Sequence, residues 1–272
     1  MEIQFKLSNG QVLRGIIKSP GENIRAAIIL VHGLGEHVQR YSHWVDRLNE
    51  KGFGFVGVDL PGHGRSDGKK GNLNSYLPAD EMLDLLIAEH KKTFPGIPVF
   101  LYGHSLGGGI VLQYILHKNP KINGAVVTSP WLRLSFEPDK MKLLLARVMK
   151  SLLPSLIQPS GLVVSHISHD QKVVDAYIAD PLIHDKISAG LFYSTVTAGE
   201  YSLHHAEELK IPLLLMHGSD DQITSPQGSH DFASKTKMAE LKIWDRGYHE
   251  LHNELFKDDV FSYIVNWLEK QI

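Results

Sequence analysis

Two stretches of this chain, PGHGRSDG (61–68) and YGHSLGGG (102–109), each frame a serine with glycines two residues to either side. Gly64-x-Ser66-x-Gly68 and Gly103-x-Ser105-x-Gly107 both have the spacing that presents a serine hydroxyl as a nucleophile on a sharp strand-to-helix turn. A serine hydroxyl is a weak nucleophile at its own pKa. It needs a histidine beside it as base, and that histidine needs a carboxylate to hold its tautomer and to stabilise the imidazolium. One such site uses one serine, and with 24 glycines in the chain a chance match is unremarkable. The flanking elements have to separate the two.

Residues 99–102, VFLY, read as a strand that runs straight into Gly103, and from Ile110 onward GIVLQYILH has helical spacing. Side chains at 103 and 107 would collide across so tight a turn. Gly108 and Gly109 let the helix pack closely. Around Ser66 the strand has already ended near Asp59, Pro61-Gly62 turns the chain, and the following DGKKGNLN is turn-rich rather than helical. Ser105 is therefore the candidate nucleophile, and Ser66 a loop residue.

In this architecture the acid and then the base follow the serine in chain order. Asp221, in MHGSDDQITSP, lies just past one apolar run, and His249, in RGYHELHNE, just past the next. Asp220 and His252 compete with them, and spacing leaves both pairs open. The developing oxyanion requires two backbone N–H donors. One belongs to Leu106, after the nucleophile; the other comes from LVHGLGEH (30–37), where Gly33 and Gly35 let the chain bend so that the Leu34 N–H points inward.

The elements that must carry these residues are legible as a pattern. Ile3, Phe5 and Leu7 alternate with polar residues, Asn9-Gly10 is a hairpin turn, and 12–17 is a second apolar segment, an antiparallel start. Six short apolar runs follow at 26–31, 53–59, 99–103, 124–129, 212–218 and 240–245, of the kind buried parallel strands make. Helical stretches at 41–51, 80–93, 106–118, 227–236 and 255–270 alternate with them. The fold expected is α/β: a mostly parallel, doubly wound sheet with an antiparallel N-terminal hairpin. Residues 130–206 break the rhythm with helical patterns and prolines at 138, 154, 159 and 181. They are expected to form a helical cap inserted into a core made of 1–129 and 207–272, lying over the carboxyl edge of the sheet. Within it, Met141, Leu144, Leu145, Val148, Met149, Leu152, Leu153, Leu156 and Ile157 form an amphipathic stripe beside Lys142, Arg147 and Lys150. Pro154 ends or kinks that helix. Part of the stripe is ordinary core; the sharper expectation is the wall of an acyl tunnel that also touches a membrane surface.

Composition excludes other classes. The chain has 272 residues, 43% hydrophobic and 21% charged, with a formal net charge of −2, so no long-range field draws nucleic acid to it. Zero cysteines remove disulfides, thiolate metal sites and a cysteine nucleophile. No leader or membrane-spanning segment is evident, and the expected location is the cytoplasm, peripheral at the membrane. A phosphate loop in GHGRSDGKK fails because His63 stands where glycine is needed and Lys70 where serine or threonine is needed. No HExxH occurs, and neither metal nor cofactor is expected. On oligomeric state, chain-length preference and regioselectivity the sequence is silent.

At this point the chain resembles the α/β-hydrolase superfamily, and within it the monoacylglycerol lipase and lysophospholipase-like serine hydrolases. The resemblance runs over nearly the whole length, through HGLGEHVQRY (32–41), DLPGHGRSDG (59–68), GHSLGGG (103–109), SHDQKVVDAYIADPLIH (168–184), HGSDDQITSP (217–226) and YHELHNE (248–254). It implies Ser105 as nucleophile, Asp221 rather than Asp220 as acid, and His249 rather than His252 as base, with Leu34 and Leu106 forming the oxyanion hole. It implies recognition of a glycerol end by Glu36, Arg40, Tyr177 and His252. The implied activity is hydrolysis of lipid carboxylic esters, monoacylglycerol foremost; a lysophospholipase, a broad carboxylesterase, and a ligand receptor on a hydrolase scaffold are the rivals. An aminopeptidase would need carboxylates to anchor a free amine, and Glu36 alone is available for that. The chain departs from the family where Leu34 replaces a smaller residue and His169 an arginine.

Overall fold

The structure is a computed structural model and describes residues 1–136 and 147–272. Strands β1 (Glu2–Lys6) and β2 (Val12–Lys18) form the expected antiparallel hairpin, with Glu2 opposite Ile16 and Lys6 opposite Val12. The six apolar runs become β3 (Ala26–Val31), β4 (Phe53–Val58), β5 (Val99–His104), β6 (Gly124–Thr128), β9 (Leu213–Gly218) and β10 (Ala239–Trp244). Among the described residues eight strands make one sheet in the order β1-β2-β4-β3-β5-β6-β9-β10, parallel from β4 onward. β3, β4, β5, β6 and β9 are buried along their whole length, because both sheet faces are covered.

The period-2 alternation of strand side chains divides the interior in two. Ala27, Ile29, Val31 and Leu101 join one cluster; Ala26, Ile28, Leu30, Phe100 and Tyr102 join the other, on the opposite face. Helices α1 (Ser42–Glu50) and α8 (Lys257–Glu269) supply apolar side chains to the second, and α2 (Leu77–Thr93) and α3 (Leu106–Lys118) to the first. α2 starts one turn earlier than the pattern implies, with a proline inside its first turn where a missing N–H costs nothing.

The segment between β6 and β9 holds helical residues 147–152 (α4), α5 (Gln171–Ala179) and α6 (Ala189–His204). It also contains strand residues that the pattern did not announce: β7 (Ile157–Pro159) and β8 (Lys186–Ser188) pair antiparallel as a separate ribbon. Three residues are too few to display a period. α6 is not a detached lid element, since Leu191, Ala198 and Leu203 belong to the main core cluster beside α3. Of the apolar stripe, Met141, Leu144 and Leu145, with Lys142, lie outside the described residues. Val148, Met149 and Leu152 are helical. The helix ends before Pro154, and Ile157 is in β7 rather than on a continuing helix face. After β9 comes α7 (Pro226–Ala233), shorter than the spacing implied.

This topology puts the ends of β3 and β5, and across β6 those of β9 and β10, along the carboxyl edge, the place where ligands bind in open α/β sheets. Each of those ends leads into one of the motifs singled out above.

Candidate active site

Ser105 sits between β5 and α3 with φ 54° and ψ −117°, a left-handed backbone that a non-glycine residue holds only when its surroundings impose it. The flanking glycines explain how the turn closes. A Cβ on Gly107 would lie 2.1 Å from the Val31 carbonyl oxygen, and one on Gly103 would lie 2.7 Å from that of Gly107. The seryl oxygen is thereby lifted off the sheet edge, 2.9 Å from His249 Nε2. His249 Nδ1 lies 2.7 Å from Asp221 Oδ2. Asp221 Oδ1 accepts backbone N–H bonds from Ile223 and Thr224, at 2.8 and 3.0 Å, and Thr224 Oγ1 lies 3.0 Å from Oδ2.

The electrostatics of the pair follow from these contacts. Burial opposes ionisation of both groups. At Asp221 the charge of His249 and the hydrogen bonds from His217 and His249 outweigh burial and hold the carboxyl well below its ordinary value. At His249 burial is outweighed by Asp221, with Glu250 and Glu36 adding to it, and the imidazole rises above its ordinary value. Ser105, His249 and Asp221 thus form a consecutive hydrogen-bonded run, the geometry that a serine nucleophile, its base and an orienting acid require.

Asp220 and His252 stand outside this hydrogen-bonded run, although Asp220 lines the same cavity. Asp220 is exposed and accepts from Ser219 Oγ. His252 is fully buried and stacked on Tyr41, with ring centroids 4.6 Å apart. The expectation that His252 contacts a glycerol end does not fit this position: the Tyr41, Trp44 and His104 rings surround it, and it does not reach the cavity wall.

Leu34 and Leu106, the two expected oxyanion donors, belong to the loop after β3 and to the first turn of α3. Among the described residues neither the Leu34 nor the Leu106 N–H has a hydrogen-bond partner; Leu106 opens α3, whose first N–H groups have no partner within the helix. The loop carrying Leu34 is held from both sides. The Gly33 N–H and the Tyr41 hydroxyl donate to Glu36 Oε1, at 2.6 and 2.8 Å. On the other side the His184 N–H donates to the Gly35 carbonyl at 2.9 Å.

Arg40 does not line the cavity as expected. Its guanidinium lies behind the wall, 2.5 Å from Glu36 Oε2 and bidentate on Glu250 at 2.7 and 2.8 Å, with the Tyr177 ring 4.8 Å away. Burial pushes Glu36 above its ordinary value despite Arg40. Glu250, which has both charge and hydrogen bonds from Arg40, falls below its own. Glu250 is a site residue that the motif reading missed. Its signal was that Arg40 needs more than one carboxylate if it is buried, and a glutamate follows the candidate base directly.

Above Ser105 lies a cavity of about 1440 Å3, larger than the roughly 300–1,000 Å3 usual for small-molecule sites. Leu34, Trp131, Leu134, Met149, Leu156 and Phe192 give it apolar walls, and Glu36, Tyr177 and Glu250 line it as polar groups beside the serine. His169, where arginine is usual, lies 2.9 Å from the buried Glu254 and stacks on Tyr248. Ser66 is not among the residues lining this cavity. Its hydroxyl donates to the Asp59 carbonyl at 2.7 Å and accepts the Arg14 N–H at 2.9 Å, tying the loop to β2.

Comparison with known proteins agrees with this picture. The profile of the family described as "Serine aminopeptidase, S33" (Hydrolase_4) matches residues 22–255. An abhydrolase domain-containing protein of Dictyostelium discoideum is 36% identical over 91% of this chain, which spans 26% of that longer protein. Monoacylglycerol lipase of Mycolicibacterium smegmatis is 32% identical over 92% of this chain and 91% of its own length. The crystal structure of monoacylglycerol lipase from Paleococcus ferrophilus superposes with a TM-score of 0.88 at 35% identity, covering 96% of this chain and 99% of that one. With the elbow, the sheet order and the profile match in agreement, the chain belongs to this Hydrolase_4 family of α/β-hydrolases.

Proposed function

We propose that the chain is a serine hydrolase of lipid carboxylic esters and cleaves monoacylglycerol to glycerol and fatty acid. The observation that carries this reading is the hydrogen-bonded run Ser105–His249–Asp221 at the floor of a large apolar cavity. In the proposed reaction His249 Nε2 takes the Ser105 proton as Oγ attacks the ester carbonyl. The tetrahedral oxyanion is held by the Leu34 and Leu106 N–H groups. His249 then protonates the departing glycerol oxygen, and water attacks the acyl-enzyme by the same proton route in reverse. The acyl chain lies along the apolar wall, and the glycerol end meets Glu36, Glu250 and Tyr177. Arg40 neutralises part of that acidic end from behind.

The cavity's polar end also bears on the aminopeptidase named in the family's description. An amine would need a carboxylate free to bind it; beside the serine Glu36 and Glu250 both already bond Arg40, which leaves Asp220, exposed on the lining and bonded to Ser219 Oγ, as the carboxylate for such a role. The similarity to the two lipases named above supports the ester reading.

Residues 130–206 are proposed to act as the cap over the site, and contact with a membrane surface belongs to the same proposal. Phe136, Leu152, Leu153, Leu156 and Val163 are at least 47% exposed, close in sequence to Arg147 and Lys150. No described helix is long and apolar enough to cross a membrane.

The test is steady-state turnover across monoacylglycerols, diacylglycerols, lysophospholipids, short esters and aminoacyl amides, with Ser105→Ala as control. Rapid multiple turnover of monoacylglycerol, absent in the variant, is the expected result. Binding without turnover would favour a receptor, and faster cleavage of the aminoacyl amides an aminopeptidase.

A further inference from the structure

Asp221 is flanked by two histidines, and the reaction above uses one of them. His217 lies on β9, four residues before Asp221, and is entirely shut off from solvent. Its Nε2 is 3.0 Å from Asp221 Oδ2 and 3.2 Å from the Thr224 carbonyl oxygen. Its Nδ1 is 2.7 Å from the Ser229 hydroxyl on α7. Two acceptors at Nε2 require that nitrogen to carry a hydrogen. Nδ1 is held by the Ser229 hydroxyl, which can rotate to suit it. The ring is thereby fixed in orientation with its Nε2–H as a donor to Asp221.

We propose that His217 is a positioning residue for the acid of the triad: with Ser229 behind it, it locks the Asp221 oxygen that faces His249 and tempers the negative field that His249 feels. The inference rests on the reading of Ser105, His249 and Asp221 as a triad. Oδ2 takes donors from His249 and His217 at once, with the Thr224 hydroxyl also 3.0 Å from it, while Oδ1 is taken by the Ile223 and Thr224 N–H groups. With both oxygens occupied the carboxylate does not rotate about its Cβ–Cγ bond, and the base keeps its aim at Ser105. The positive end of the His217 N–H dipole also lies next to the site of the imidazolium charge. Removing that donor leaves the carboxylate field less screened, so His249 holds its proton to higher pH. The other charged or titratable groups facing His249 are Glu250, Glu36, His104 and His252, with Arg40 between the two glutamates. None of them is altered in the test.

The experiment compares the full chain with His217→Leu and His217→Gln on a short soluble ester, p-nitrophenyl butyrate, reading kcat, KM and the pH profile of kcat/KM. Leucine fills the space without a donor; glutamine places an amide N–H where Nε2 was. For His217→Leu the expected result is a fall in kcat of about 10- to 100-fold, with KM nearly unchanged. The acid limb should move up by about half a pH unit. His217→Gln restores the limb and most of kcat. A residue that merely filled space would not move the limb, and its loss would not be repaired by glutamine more than by leucine. A folded His217→Leu protein with the wild-type limb and kcat overturns the inference. If the leucine variant does not fold, the glutamine variant decides alone, and loss of its kcat or displacement of its limb overturns the inference. Absence of fluorophosphonate labelling at Ser105 in the unmodified chain is a different failure: it refutes the triad itself, and the inference with it.

Discussion

Arg40→Met isolates what the buried guanidinium does. The substitution keeps an aliphatic stem of similar length and removes the charge that Glu36 and Glu250 share. Those two carboxylates have side chains only 3% and 4% exposed, so neither can turn to solvent for compensation. Breaking a buried ion pair from one side costs about 3–5 kcal/mol, because the partner charge stays buried. In a domain of this size each kcal/mol lowers Tm by about 2–4 °C, so a depression of roughly 6–20 °C follows near pH 8. The loss has a pH signature. Burial already raises Glu36, Arg40 opposes that rise, and without Arg40 the folded carboxyl titrates higher still. The folded state then holds a proton that the unfolded chain has released. Stability therefore falls as pH rises from the unfolded glutamate value through the raised folded one, and the deficit shrinks on acidification. Thermal unfolding of both proteins between pH 5 and pH 9 measures this directly. Catalysis should suffer with it, because Glu36 Oε1 holds the Gly33 N–H beside the Leu34 donor. Loss of one oxyanion donor costs about 100- to 1,000-fold in kcat, and a loosened donor should cost at least about 10-fold. A Tm at pH 8 equal to that of the wild type, or a deficit independent of pH, would refute the reasoning.

Ser66→Ala should leave fluorophosphonate labelling at Ser105 intact and cost about 1–3 kcal/mol in stability, since it strips a part-buried N–H of its acceptor; labelling and denaturant titration check the two halves. Gly107→Ala should abolish soluble active enzyme or drop Tm severely, as its Cβ meets the Val31 carbonyl at 2.1 Å, whereas Gly10→Ala, with nothing within 4 Å of the added Cβ, should be limited to the strain of its φ of +89°; paired melts read the difference. Asp221→Asn should lower kcat by about 10,000-fold by favouring the wrong His249 tautomer, with circular dichroism unchanged. The acid limb of kcat/KM should lie above the ordinary histidine value of 6.5, because Asp221 raises His249, and activity falls as pH drops through it because the base must be unprotonated; a limb below that value contradicts the pair geometry.

The candidate nucleophile is marked out from its rival by local pattern. A strand that ends at His104 and a helix that begins at Leu106 separate Ser105 from Ser66 without any tertiary contact, because an elbow is a short-range object whose demands are written within ten residues. The sheet strands were equally legible, since strands buried on both faces are continuous apolar runs. What the sequence left open depends on distance between segments far apart in the chain. Asp220 and Asp221 are neighbours with identical chemistry, and only the fold turns one toward His249 and the other to solvent. His252 and Arg40 carry suitable groups for a polar ligand, yet packing puts one behind the Tyr41 ring and the other behind two glutamates. Glu250, His217 and Ser229 acquire their parts because β9, α7 and the loop after β10 converge, over separations that no periodicity records. Local geometry is encoded by neighbouring residues and can be read from them; partnership between buried polar groups is decided by closure of the core, which brings together 36, 40 and 250, or 105, 217 and 249, only once the whole sheet is formed.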